Sequence, residues 1–341
     1  MTSATSSRRL SPRVKVLATT DRPDGWDRRL EELAQPAPLL QSWAWGEVQK
    51  RSGWTVERLR LGGGAVASVQ VRKVGPVREA YVPRGPVPAT GESIDALVTW
   101  ARESRVARLV VEPEAPDDFK DLLREKGFHR TAAVQPRHTR ILQLLPPEQL
   151  LQTFRHGRRY NIRTGIKRGV IVEEGKDAAE LARQSAAVER RESIHLPGRG
   201  YYQLLLDLLP WCRTYTAFSP DKREPLATVL VARHAGRAYS LFAGRTGARR
   251  ELLGNDLAWW AAITAAAEAG CRDFDLWGIP PPHAMPGHPW EGLGLFKGEF
   301  GGEVLTYPGA FELRLSGGGT RVLDWERKTR AFIRGLKRNI P

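Results

Sequence analysis

Cysteine is scarce in this chain. Among 341 residues only Cys212 and Cys271 carry thiols, far apart and without the close spacing of metal ligands. That argues against a disulfide-stapled scaffold and a structural zinc, and it fits a reducing compartment. Long apolar runs are missing too. No segment approaches the roughly 20 residues that a membrane span needs, and Met1 to Arg9 is not followed by a signal-peptide core. A cytoplasmic protein is expected. There is no Gly-x-Ser-x-Gly elbow and no P-loop, so neither serine-hydrolase nor Walker-type chemistry is indicated. Negative charge is also short: 38 acidic against 53 basic residues leave a net charge of +15. Such a surplus attracts polyanions, whether RNA, a nucleoside diphosphate or an anionic membrane surface. Arginine-rich coding bias would produce the same number, and charge alone leaves these readings open. No zinc finger, helix-turn-helix or RNP pattern accompanies it, so any RNA contact is expected at the backbone and a 3′ end.

What is present is a repeated order of elements. The length suits two domains, and the 41% apolar fraction suits real cores. Val56 to Val74 reads as a hairpin turning at Gly62-Gly63-Gly64, followed by a helix over Ser93 to Glu103 and a strand over Ala107 to Glu112. The same sequence of elements recurs later. Leu226 to Ala243 reads as a hairpin turning at Ala235-Gly236. Asp256 to Ala269 reads as a helix with Asn255 as N-cap and Gly270 as its stop, and Arg272 to Trp277 as a strand. Two α+β units with largely antiparallel sheets are the reading. The division expected is a disordered tail over 1–13, a first unit over 14–146, a second over 147–317 and a C-terminal helix over 318–341. The boundary rests on Leu145-Pro146-Pro147. That last helix shows Val322, Trp325, Thr329, Phe332 and Leu336 near one face.

Three segments carry chemistry. Asp273-Phe274-Asp275-Leu276-Trp277-Gly278-Ile279 reads as a strand that enters a long proline-rich loop. The loop delivers Lys297 between Phe296 and Phe300, just before Gly301-Gly302. Glycines permit close backbone approach, and a lysine so placed can hold developing negative charge. The plain alternative is an edge strand with a solvated lysine. Asp275 is read as a strand end. In the segment Phe154 to Arg168, the cations Arg155, Arg159, Arg163 and Lys167 follow i, i+4 spacing and line one helix face, with Ile162 and Ile166 turned elsewhere. A phosphate polyanion, a membrane surface or plain solvation would each suit that face. Finally, Glu192 to Tyr202 reads as a loop entering a helix. Trp43 and Trp45 are read as core, and His283 and His288 as solvated loop residues.

Seven collinear motifs then resemble one family. They are Gln41-Ser42-Trp43-Ala44-Trp45-Gly46-Glu47 with Gly53-Trp54, then Tyr81-Val82-Pro83-Arg84-Gly85-Pro86, then Val111-Glu112-Pro113, then Gln135-Pro136-Arg137-His138-Thr139. Arg159-Tyr160-Asn161-Ile162-Arg163 with Lys167-Arg168-Gly169-Val170 follows, and the strand and the Phe-Lys…Phe-Gly-Gly segment above complete the set. From roughly Leu39 to Phe311 this resembles the Fem (FemABX) family of peptidoglycan-precursor aminoacyltransferases, in its compact FemX type without a coiled-coil arm. The resemblance implies an α+β fold of two tandem acetyltransferase-like (GNAT) domains, with the C-terminal helix packed back on the first. It implies transfer of glycine, alanine or serine from aminoacyl-tRNA to the side-chain amine of the third stem-peptide residue. The acceptor would be UDP-MurNAc-pentapeptide or lipid II. It also implies a monomer, with possible peripheral contact at the anionic inner membrane face, and neither cofactor nor metal. Lys297 would be catalytic, with Phe296, Phe300 and Gly301 shaping its loop. Arg199, Tyr202, Lys50 and Arg84 would bind the acceptor, and the Arg155, Arg159, Arg163 and Lys167 face the tRNA phosphates. One departure stands out: where the family commonly has a lysine after Trp-x-x-Val, this chain has Gln49, with Lys50 next. Arg60-Leu61-Gly62-Gly63-Gly64-Ala65 fits the pyrophosphate loop of acetyl-CoA enzymes, but it lies between two strands with no helix after it, so it is rejected as such a site. Rival readings are an acyl-CoA N-acyltransferase, a non-catalytic RNA- or membrane-binding protein, and a Fem-like enzyme with another acceptor.

Overall fold

The hairpins and strands form where alternation and turn glycines predict them. The computed structural model describes residues 15–16, 23–192 and 196–338, so the expected tail over 1–13 lies outside the described residues. In chain order the first part holds β1 (Lys15–Val16), α1 (Pro23–Leu33), α2 (Trp43–Arg51), β2 (Thr55–Arg60), β3 (Val66–Val74), β4 (Val77–Pro83), α3 (Gly91–Glu103), β5 (Val106–Glu112), α4 (Phe119–Glu125), β6 (His129–Arg130) and β7 (His138–Gln143). The second holds α5 (Pro147–Thr153), α6 (His156–Lys167), β8 (Ile171–Gly175), α7 (Ala178–Glu192), α8 (Arg199–Leu208), β9 (Cys212–Phe218), β10 (Pro225–His234), β11 (Arg237–Arg245), α9 (Gly254–Glu268), β12 (Asp273–Gly278), α10 (Glu291–Gly298), β13 (Glu303–Thr306), β14 (Phe311–Arg314) and α11 (Gly317–Arg338).

These strands build two seven-stranded sheets, ordered β1-β2-β3-β4-β5-β14-β6 and β13-β7-β12-β11-β10-β9-β8. The α+β class with two mostly antiparallel, helix-flanked sheets is borne out. Each sheet has one parallel pair. β4 and β5 pair from Arg78–Val106 to Pro83–Glu112, with one register shift between Arg78 and Glu79, whereas β11 and β12 bond only from Arg237–Tyr239 to Asp273–Asp275 and then separate. The sheets also exchange strands. β7 pairs with β12 and β13 in the second sheet, and β14 inserts between β5 and β6 in the first. The linear division at 146/147 is therefore crossed in both directions, because strand pairing follows hydrogen-bonding edges rather than chain order. A shared apolar core reinforces this: Leu39, Leu40, Trp45 and Val48 pack with Tyr202, Leu205, Leu206 and Leu230.

Three local expectations change. The N-cap of α9 is Leu253 in the left-handed region, without a side-chain cap, rather than Asn255. The segment before Lys297 is helical, not loop throughout: it is α10, following the loop from 279 to 290. α11 does lie against β3, β4 and β5, yet through a different face. Leu323 and Thr320 are buried while Val322 and Trp325 are exposed; the side chains of Phe332 and Leu336 lie outside the described residues. Charge decides the docking. The underlying strands present Arg72 and Arg108, and these take Glu326 and Asp324 from the helix at 3.3 and 2.6 Å.

Candidate active site

Lys297 occupies the last turn of α10 and is only 5% exposed. Its Nζ donates to the Gly278 carbonyl at 2.8 Å. The plain alternative of a solvated edge-strand lysine does not hold. Burial pushes its pKa down to about 7, while the nearby Asp275 carboxylate pulls it up. Asp275 is not a strand end either: it is buried within β12, where β11 departs, and accepts from Thr139 Oγ1 and from the Trp277 N–H. Burial raises its own pKa, and these hydrogen bonds oppose the rise.

An aromatic wall encloses the lysine. Phe296 and Phe300 meet edge to face at 5.4 Å, Trp259 packs on both, and the Lys297 Nζ lies 6.0 Å from the Trp259 ring. Arg158, in the first turn of α6, braces this wall. Its guanidinium stacks over Phe296 at 4.1 Å and Phe300 at 4.5 Å, donates to the Phe296 carbonyl and pairs with Asp256. Sequence reading missed Arg158 in a run of arginines, although its i, i+4 relation to Phe154 and Ile162, both buried, marks its face. The glycine pair serves protein packing rather than ligand approach. Both residues have positive φ, and a Cβ on Gly302 would fall 2.3 Å from the Ile141 carbonyl of β7. Arg140 holds the turn by donating to the Gly301 and Gly302 carbonyls at 3.0 Å each.

A cavity of about 640 Å³, which Lys297 does not line, is walled by Trp45, Gln49, Trp54, Tyr81, Gln135 and Tyr201 among others. The link to Lys297 runs through Pro136. Its neighbour Gln135 faces the cavity, while Pro136 itself packs at Gly278, where an added Cβ would stand 2.9 Å away. At the rim, the buried Glu112 accepts from the Tyr81 hydroxyl and from the Val134 and Gln135 N–H groups.

The predicted acceptor residues are only partly brought together. Arg84 is buried, donates to the Pro136 carbonyl at 2.8 Å and stacks over Tyr307 at 4.0 Å. It therefore positions the junction. Lys50 is exposed and pairs with Glu47 at 2.9 Å; Gln49, not Lys50, lines the cavity. Tyr202 is fully buried, its hydroxyl donating to Ser185 at 3.0 Å. Its neighbour Tyr201 lines the cavity instead, within hydrogen-bonding reach of Gln49. The helical stripe of Tyr202, Leu205 and Leu206 explains the swap, since that face fills the core and Tyr201 lies off it. Arg199 is exposed at the first turn of α8. On α6, Arg159, Arg163 and Lys167 line a shallow groove with Tyr160, and Arg155, just outside the helix, is exposed. Ile166, expected to turn away, is exposed on this surface. Trp43 is half-buried beneath the Arg58 guanidinium.

Residues 150–285 match the family model described as an acetyltransferase (GNAT) domain. The chain is 29% identical over 201 residues to a Staphylococcus aureus lipid II:glycine glycyltransferase; the match covers 50% of this chain and 47% of that relative, so the chain spans about half the length of the curated relatives it matches. Its fold is similar to the crystal structure of FemX, with a TM-score of 0.76 and 19% identity over 88% of this chain and 97% of the other. A tandem GNAT protein from the clavulanic acid biosynthesis pathway aligns at 0.55 with 15% identity, covering 89% and 98%. The tandem GNAT fold and the resemblance to the Fem family are both borne out.

Proposed function

We propose that this Fem-family chain transfers an amino acid from aminoacyl-tRNA to the side-chain amine of a peptidoglycan precursor's stem peptide, in the cytoplasm. The observation that carries the reading is the buried Lys297, held by the Gly278 carbonyl inside an aromatic wall. The printed function of the glycyltransferase relative supports the acceptor class. The donor ester is already activated, so no covalent enzyme intermediate is required. A neutral acceptor amine attacks the ester carbonyl; a C–N bond forms and the carbonyl oxygen takes up negative charge. Lys297 as ammonium stabilises that oxyanion, an effect worth about 3 kcal/mol in comparable sites. Collapse breaks the C–O bond, and the ribose oxygen leaves with the proton the amine gives up. Holding amine and ester together supplies much of the remaining acceleration. The cavity takes the acceptor, and the Arg155, Arg159, Arg163 and Lys167 surface takes tRNA phosphates.

The test is transfer of radiolabelled glycine, alanine or serine from charged tRNA to UDP-MurNAc-pentapeptide and to lipid II, with and without ribonuclease. Ribonuclease-sensitive label in either precursor is the expected result. Label from acyl-CoA, or none from tRNA into either acceptor, overturns the reading.

A further inference from the structure

Several backbone groups just before Gly278 are held by side chains rather than by strand partners. On β12, Asp275 pairs with Ile141 of β7 and Gly278 with Thr139, so Leu276 and Trp277 together stand against Arg140. That is a bulge, with one residue too many for its partner strand. On the other side, β11 has parted from β12 after the Tyr239–Asp275 pair. The Leu276 carbonyl takes Ser240 Oγ at 2.9 Å, and the Trp277 N–H goes to Asp275 Oδ1 at 2.7 Å. Trp277 itself has a φ of 62°, a left-handed conformation that strains a bulky residue and persists only where its surroundings impose it.

That strained turn reaches the lysine. The Gly278 carbonyl, next along the chain, accepts from Lys297 Nζ at 2.8 Å. One of the ammonium's three N–H bonds is thereby fixed, which sets where the other two can point. Asp275 is in turn anchored by the Thr139 hydroxyl, and Arg237 and Arg84 favour its carboxylate form, the acceptor that both contacts need. The contacts run from Thr139 to Asp275, then through Trp277 and Gly278 to Lys297.

We propose that Asp275 is a positioning residue of this site: by gripping the Trp277 N–H it holds the bulge that aims the Gly278 carbonyl, and so the Lys297 ammonium. This rests on the oxyanion role given to Lys297 above and names the residue that sets its direction. Transfer assays at about pH 6, where Lys297 keeps its proton, test it. Asp275→Asn keeps an oxygen for both donors and should retain kcat within about tenfold, whereas Asp275→Ala should lower it about 100-fold with acceptor KM unchanged. Added to Lys297→Ala, Asp275→Ala should cost less than about threefold more, because the two act as a unit. Thr139→Val, of nearly the same shape, covers the case in which Asp275→Ala does not fold. It should lower kcat about three- to tenfold and be equally silent beside Lys297→Ala. Equal losses in Asp275→Asn and Asp275→Ala, an unchanged kcat in Thr139→Val, or full additivity with Lys297→Ala overturns the inference. A second readout needs no transfer. The Lys297 ε-methylene NMR resonance, identified by its loss in Lys297→Ala, should move in Asp275→Ala and stay near its original position in Asp275→Asn. Equal movement in both overturns the inference even where the chain transfers nothing. Unaltered turnover in Lys297→Ala sinks the oxyanion reading instead, and that resonance then decides the bulge by itself.

Discussion

Lys297 is where burial and chemistry meet. Its pKa of about 7 means that the ammonium is lost as pH rises through neutrality. If the cation stabilises the oxyanion, turnover has an alkaline limb near pH 7, and Lys297→Ala lowers kcat about 100- to 1,000-fold with little change in acceptor KM. A flat pH profile above 7 in steady-state assays would sink that role. The same shift makes a stability prediction. From about 7 up to the ordinary lysine value near 10.4, the unfolded chain holds a proton that the folded chain has released, so this group's contribution to stability improves as pH rises. Below about 7 its cost is fully present. Lys297→Met should therefore raise stability by about 1–3 kcal/mol at pH 6, with the gain shrinking towards pH 10 in thermal melts. The two tyrosines of α8 separate in the same manner. Tyr202→Phe loses its bond to Ser185 and costs about 1 kcal/mol of stability with acceptor KM unchanged. Tyr201→Ala raises that KM instead. Equal KM effects for both variants would contradict the placement of the cavity.

At the scale of the element, α6 does two jobs on two faces. Arg158 and Ile162 face inward, Arg158 bracing Phe296 of α10, while Arg163 and Lys167 face outward beside Tyr160. The outward face is the one read as a phosphate surface. Arg163→Ala with Lys167→Ala should weaken tRNA binding about tenfold and flatten its dependence on salt by about one to two units of log–log slope. Filter binding at several salt concentrations measures this, and an unchanged slope would assign the face to something else. α11 teaches a related lesson. Its apolar periodicity pointed to Val322 and Trp325, yet the helix docks through Leu323 and its ion pairs. Periodicity shows that a helix forms and has faces. It does not show which face meets a sheet already carrying Arg72 and Arg108.

The whole molecule is tied together by exchanged strands and one shared core. With β7 in the second sheet and β14 in the first, neither half of the chain has its complete set of strands. Expressed separately, 1–146 and 147–341 should each fail to fold, whereas the intact chain melts in one cooperative transition. Calorimetry and limited proteolysis would check this, and two independent transitions would refute it. Much of the fold was legible: the glycine hairpin of β2 and β3, the α3 and α9 helices, and β12 ahead of the lysine segment follow from local turn chemistry and apolar period. So did Lys297 itself, because its flanking aromatics and glycines form a compact local motif. The cavity, the swap of Tyr201 for Tyr202, the Gln49 position and the bracing Arg158 were not legible in the same way. Sequence by itself determined those elements and the candidate lysine, since both rest on interactions among near neighbours. Only the tertiary structure decided which sheet each strand joins, which face of α6, α8 and α11 turns inward, and that Lys297 is desolvated. These depend on groups tens to hundreds of residues away, and no local pattern encodes a partner's charge or the water it excludes.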